Sequence, residues 1–596
     1  MLNHPILRIF IRNLVFWAFW QSPSQYVSFD DNCNVTCSLH SKSLYEIALF
    51  DQVLDLAHKR SLIRNHLSQP SSSIVATSVV NSFINDLHQL DLSLVAEFEN
   101  SSIESLSHLA THFPQLSALY SFIHSYLESL PPPDTPQSQQ TLHIIHFLYK
   151  SSRDNVDAPY NCSSNALSAA ISSYWTILSQ WMTCSFTSST SLSESFIRYN
   201  DQMMTSLREL WTECQVDQDA VPFFISQKTA QDVLFCGKVS FLCSLKLPSL
   251  RTSIDFFDYQ SKMIDMLRLP SFSSSLLPKV SRELSIVSVK AKTLSSSILW
   301  RLLHQSQFSV GNLTNISNIS GICGFLTEVG DVALHLDGSF SNDFVNYFSE
   351  ICFIMKDIPF IQNKVKFLWE TAVSEYNYSD ACFSLTLNSN HQSNMIDFPE
   401  TLDRWNQLRF RISPPTPFEL IFSKEMEEFY NSEFLLIFLL KIAYSQLLCL
   451  FDGGYPKSII SAPRMLNVLK QELLFVLQTF LGNYLMLLSH HHSKMIDNLL
   501  LVSTFDDAVS GIDSYLSQVS RFSMTNNPKL TIPLFKIVDI VIKTQSQLLN
   551  SFIDNDELNR KRDSLRANVK ILCTVLTSLK SPELRDLVQQ LESLCK

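Results

Sequence analysis

Three adjacent histidines, His490, His491 and His492, and the pair Cys33 and Cys37 are the residues whose types could hold a metal ion. A structural zinc site needs four convergent ligands, usually as two short pairs. No second pair follows Cys33 and Cys37, and three consecutive histidines at a helix end point in different directions, so a solvated turn is expected there and no metal. Phosphate chemistry would need a glycine-rich loop or a basic run. The densest basic cluster, Arg560, Lys561, Arg562 and Arg566, reads as the exposed face of a helix. Nothing along the chain pairs a nucleophile with a base, so no catalytic residue and no cofactor are expected.

The residues that say most are architectural. In WNQLRFRISPPTPFELIFSKEMEEFYNSEFLLIFLLK (405–441), Pro414, Pro415 and Pro417 hold the backbone away from helix. Ser423 is placed to cap a helix whose first turn carries Glu425, Glu427 and Glu428, where the dipole favours negative charge. Residues 434–440 are apolar on every side, which predicts a helix buried between others, with Phe434, Ile437 and Phe438 in the core. Lys441 interrupts this run and must pair, snorkel or reach a surface; an ion pair is the expected solution.

Composition agrees. Only 10 of 596 residues are glycine, far below the usual share of about 7%, which argues for long helices and against phosphate loops. With 45% hydrophobic residues and 42 Phe, a large core is easily built. Charged residues make up 17%, against a norm of roughly 25%, so part of the surface is either covered by partners or rich in Ser and Asn. A net charge of −11 without a basic stripe argues against nucleic acid as a partner. The 13 scattered cysteines fit a reducing compartment. ILRIFIRNLVFWAFW (6–20) carries Arg8 and Arg12 and is too short to span a membrane; a packed or peripheral helix is the expectation, a signal peptide the alternative.

Helical rhythm recurs throughout. Ser43 to Glu46 has the pattern of a capping box, followed by Ile47, Phe50, Leu54 and Ala57 on one face. Leu466, Leu469, Leu473, Val476, Phe480 and Tyr484 make another stripe. Thr504 with Asp507 predicts a cap for a helix with Phe505, Val509, Ile512, Leu516 and Val519 inward. Thr531, Ile532 and Pro533 read as a helix start, with Leu534, Ile537, Val538 and Val541 inward. Breaks fall at 131–136, 185–195, 270–278 and 388–394. The fold class expected is all-α, an elongated stack of helical bundles.

Two segments carry a resemblance. In VPFFISQKTAQDVLFCGKVSFL (221–242), Pro222 ends a loop, Ser226 caps a helix, and Ala230, Val233, Leu234, Gly237 and Phe241 share a face; a glycine in mid-helix points to close approach of another helix. With Pro222, Phe224, Gly237 and Lys238, this segment resembles the signature closing the first homology domain of the gamma-tubulin complex proteins, the spindle-pole-body component family. Pro417, Leu420, Ile421, Phe422, Ser423, Tyr430, Phe434, Leu436, Phe438, Leu439 and Lys441 resemble the signature of that family's second domain. Weaker likenesses keep the family's order at 335–348, 473–488 and 503–524. The departures are His490, His491 and His492 where the family continues differently, and Asp513 where it carries histidine. Without a long extension or insertion, the chain is most similar to the short member, component four.

The resemblance implies an N-terminal segment 1–40, a first domain 41–295 that contacts neighbouring components side by side, and a second domain 296–596 that holds gamma-tubulin. It implies a non-enzymatic structural subunit of the cytoplasm, at microtubule-organising centres and spindle poles. Asp337, Ser339, Asp343 and Asn346, with Arg409 and Arg411, are the residues proposed to face gamma-tubulin. The alternative is a helical scaffold or tethering adaptor unrelated to tubulin.

Overall fold

Scarce glycine and an apolar repeat of three and four leave helix as the way for this backbone to satisfy its hydrogen bonds while burying one face. The structure is a computed structural model and describes residues 27–29, 35–37, 44–68, 73–99, 113–132, 134–154, 159–184, 192–198, 211, 213–244, 256–267, 277–305, 321–352, 358–376, 378, 382–387, 408–415, 417–452, 463–550, 554–579 and 582–595. It is all-α, with short antiparallel pairs at three places among the described residues. Two compact units divide the chain: Met1–Leu245 with Asp255–Ser295, and Lys246–Ile254 with Ser296–Lys596. Residues 6–20, Cys33 and Ser43, and the side chains of Cys37, Ile47, Phe50 and Leu54, lie outside the described set.

In the first unit, β1 (Val27–Phe29) pairs with β2 (Val35–Cys37). Helices α1 (Leu44–Leu67), α2 (Ile74–Glu99), α3 (Phe113–Ser129), α4 (Gln137–Asp154) and α5 (Pro159–Met182) follow. The pair β3 (Ile197–Arg198) and β4 (Gln215–Val216) precedes α6 (Gln227–Ser244), α7 (Phe256–Leu267) and α8 (Leu277–Gln305), whose residues from Ser296 onward belong to the second unit. Helix α5 is the hub, packed against α2, α3, α4, α6 and α7. Its two buried tryptophans tie it to its neighbours, Trp175 donating to the Leu267 carbonyl at 3.1 Å and Trp181 to the Val233 carbonyl at 3.2 Å. Glu194, at the edge of the Ser/Thr-rich break, is buried and caps α2 from a distance. Its carboxylate accepts from Ile74 N–H at 2.6 Å, Val75 N–H at 3.2 Å and Ser73 Oγ at 2.9 Å, where the helix dipole favours an anion.

The second unit contains α9 (Gly321–Ala333), α10 (Gly338–Cys352), α11 (Ile358–Glu375), β5 (Phe383–Leu387), β6 (Leu408–Ile412), α12 (Lys424–Asp452), α13 (Pro463–Leu501), α14 (Phe505–Ser520), α15 (Pro528–Asn550), α16 (Asn555–Ser578) and α17 (Arg585–Cys595). Helix α13 packs against α9, α12, α14, α16 and α17. The stretches Lys424–Leu448 and Arg464–Leu501 are long and apolar enough to cross a membrane; within the helical packing, 67% of the first one's most apolar window is buried and 39% of the second's.

Several sequence expectations shift on contact with the structure. No turn forms at His490, His491 and His492, because α13 runs through them. His492 is buried: its Nε2 donates to the Leu326 carbonyl at 3.0 Å, and burial pushes it down to about 4, so it is a neutral core residue. A Cβ on Gly330 would come within 2.3 Å of that ring, so the glycine of α9 makes room for it. His491 packs on Phe522. Helix α15 begins at Pro528, one turn earlier than Thr531; Asn527 Oδ1 accepts from Lys529 N–H, and Pro533 lies inside the helix. On α14, Thr504 caps as expected, but Ala508 and Tyr515 are buried where Val509 and Leu516 are half-buried, because the helix turns its tyrosine inward beside Tyr430 and His492. On α6, Leu234 and Phe241 are likewise half-buried, and Cys236 and Ser240 occupy the inner face. The basic cluster on α16 is largely engaged: Arg562 grips Glu472 of α13 with Nε at 2.9 Å from both carboxylate oxygens, and Arg566 joins at 2.7 Å.

Candidate functional site

The described residues of the segment 405–441, namely 408–415 and 417–441, assemble as their types require. In β6, Leu408, Phe410 and Ile412 are buried while Arg409 is half-buried and Arg411 exposed. The strand pairs with β5, Ser384 opposite Arg411 and Thr386 opposite Arg409. After Pro414 and Pro415, a single 3-10 turn (Phe418–Leu420) leads to Ser423, whose Oγ accepts from Met426 N–H at 3.1 Å and caps α12. Along α12, Tyr430, Phe434 and Phe438 are each no more than 1% exposed. Phe434 stacks on Phe410 with centroids 4.2 Å apart and on the imidazole of His335 at 4.9 Å.

His335 ends α9 in the left-handed region at φ 55°, a conformation usually left to Gly or Asn. Its ring is held by Phe434 on one side and by Ser341, whose Oγ lies 2.7 Å from Nδ1. Lys441 donates to that same Oγ at 2.7 Å and points to the His335 carbonyl at 3.5 Å. An ammonium only donates, so Ser341 Oγ is the acceptor in the bond from Lys441. Burial and the Lys441 charge both push His335 well below the usual histidine range. Lys441 thus finds hydroxyl and carbonyl acceptors where an ion pair was expected; Asp337 acts on it only through the field.

The six residues proposed from sequence to face gamma-tubulin separate into two places, α10 with its cap, and β6. Asp337 caps α10, accepting from Ser339 N–H at 2.9 Å, and its other oxygen accepts from Tyr378 Oη at 2.9 Å. Asp343 accepts from Tyr376 Oη. These carboxylates are committed to internal bonds. Asn346 is exposed and bonds Ser445 Oγ at 2.9 Å, Ser339 is exposed, and Arg411 is the exposed arginine.

Beside Asp337 stand Glu328 and Asp331. Burial first, then the neighbouring Asp331 charge, raises Glu328 to about 7; burial and Asp337 raise Asp331 to about 6. The folded state therefore holds protons that the unfolded chain has released between about pH 4.5 and 7, and these groups add stability as pH falls through that window. Glu328→Gln is expected to raise the melting temperature at pH 8 by roughly 2–4 °C, equivalent to about 1 kcal/mol, and to change it little at pH 5. Equal shifts at both pH values in thermal unfolding would refute this account.

Sequence reasoning missed Glu433, which is fully buried. Tyr484 Oη, Ser523 Oγ and Thr525 Oγ1 donate to its carboxylate at 2.7, 2.6 and 2.8 Å, joining α12 to α13 and to the turn before α15. The signal was a lone carboxylate immediately before an apolar run. In the first unit, Lys238 is buried and donates to the Trp211 carbonyl at 2.6 Å, while Pro222 and Phe224 are buried at the turn into α6.

Residues 11–302 match the family model described as Gamma tubulin complex component N-terminal. Over those residues the chain carries the N-terminal domain of the gamma-tubulin complex components, a family of structural proteins. Among curated proteins, none matches the chain.

Proposed function

We propose that this chain is a structural subunit of a gamma-tubulin complex that binds gamma-tubulin through its second unit, residues 296–596, and meets sister components side by side through the first, residues 41–295. The family match over 11–302 is the observation that carries the reading, and the second-domain signature from Pro417 to Lys441 supports it. The role is templating and not catalysis. Presenting several gamma-tubulins at a fixed spacing removes much of the entropic cost of starting a microtubule. The setting is the cytoplasm, at microtubule-organising centres and spindle poles. Ser339, Asn346 and Arg411, the exposed members of the sequence-derived set, are the proposed contacts; Asp337, Asp343 and Arg409 shape the same elements.

The test is affinity capture of the tagged full chain from cell extract, scored for gamma-tubulin and sister components. Both are expected. Arg411→Glu combined with Ser339→Arg should weaken gamma-tubulin capture by at least fivefold and leave sister components in place. Recovery of neither protein by the wild-type chain would overturn the assignment, and unchanged capture by the double variant would remove these residues from the interface.

A further inference from the structure

Among the described residues, a cavity of about 670 Å³ lies between α10, α12 and α13, within the size range of small-molecule sites. Lys441 is the one charged residue lining it, and no carboxylate is within ion-pairing distance of its ammonium among the described residues. Two of its three N–H groups point at Ser341 Oγ and, at 3.5 Å, the His335 carbonyl, which leaves one donor without a protein acceptor. Burial pushes this ammonium down to about 8, which an anion beside it would reverse. Val345 of α10, Leu448 of α12, and Leu481, Leu485 and Met486 of α13 give it an aliphatic lining on three helices, interspersed with the polar Asn342, Ser445 and Gln478. Met486 is 69% exposed, and a Cβ on Gly482 would meet nothing within 4 Å, so the cavity has room beside the backbone of α13 and reaches solvent there.

We propose that this cavity binds a small acyl carboxylate, its head on Lys441 and its chain along Leu448, Leu481 and Leu485. A half-buried ammonium with no carboxylate in ion-pairing reach among the described residues favours an anion, and the aliphatic side chains from three helices give a short hydrocarbon chain a surface to lie on. The inference does not rest on gamma-tubulin binding, although Asn346, a proposed contact, also lines the cavity; the titration uses the isolated chain.

Calorimetric titration of the full chain tests it, with octanoate as probe, 1-octanol as the uncharged control and N-acetylglutamate amide as a stand-in for a partner's acidic side chain. Saturable octanoate binding is expected, at least tenfold tighter than 1-octanol. Lys441→Gln should weaken octanoate about tenfold without changing 1-octanol, and Gly482→Leu, whose side chain enters open space, should weaken both. Should Lys441→Gln fail to fold, the wild-type comparison and Gly482→Leu decide. Equal affinities for octanoate and 1-octanol, unaltered octanoate binding in Gly482→Leu, or binding of N-acetylglutamate amide alone would overturn the proposal.

Discussion

Gly237→Leu is expected to lower the melting temperature of the first unit by roughly 6–12 °C, corresponding to about 3 kcal/mol. A Cβ at this position would lie 1.9 Å from Trp181 Nε1 and 2.0 Å from Cε2, well inside contact distance. The indole cannot simply swing away, because its N–H is bonded to the Val233 carbonyl one turn earlier on the same helix, and the ring is 1% exposed. Either α6 moves off the hub helix α5 or the tryptophan leaves its site and abandons a buried carbonyl. Gly237→Ala should show most of the same loss, and pairing it with Trp181→Phe should recover part of it, since the two positions share one space. A Gly237→Leu chain that melts with the wild type, or an alanine variant that is purely additive with Trp181→Phe, would show that the contact does not control the packing.

Phe434→Ala is expected to cost about 3–5 kcal/mol in the second unit, measured by chemical denaturation. The side chain is 1% exposed and sits among Phe410, Trp369, Phe438 and His335. Its removal opens a void where strand β6, helix α12 and the end of α9 meet. It also strips one face from the His335 ring, whose left-handed backbone depends on being held. Leu is expected to recover about half of the loss by refilling volume without the stacking. A cost below about 1 kcal/mol for alanine would mean that the site collapses freely and that the aromatic cluster is not a structural centre.

The helices were legible because their signals are local. Ser423, Thr504 and Ser226 each accept the backbone N–H three residues on, and the six-residue stripe from Leu466 to Tyr484 is buried throughout. Gly237 pointed to a close neighbour, although only the structure identifies Trp181. What stayed hidden depends on partners far away in sequence. Nothing near Glu433 says that Ser523 and Thr525 will complete its hydrogen bonds, and nothing near Glu194 says that it will cap a helix starting at Ile74. The histidine triplet was misread for the same reason, since three polar residues look like a turn until the Leu326 carbonyl and the space above Gly330 are known. Lys441 was expected to find a carboxylate and found a hydroxyl, because the carboxylates of α10 are used by Tyr376 and Tyr378.

The unbroken course of Pro463–Leu501 has a mechanical consequence. Its 39 residues extend about 58 Å without an internal glycine kink or proline, since Gly482 stays within the helix. Neighbours grip this rod at successive levels, with Glu472 clamped by Arg562 and Arg566 near one end and His492 locked under α9 towards the other. Contacts at all these levels bear on one continuous helix, so amide exchange along it should slow in concert when any one level is tightened.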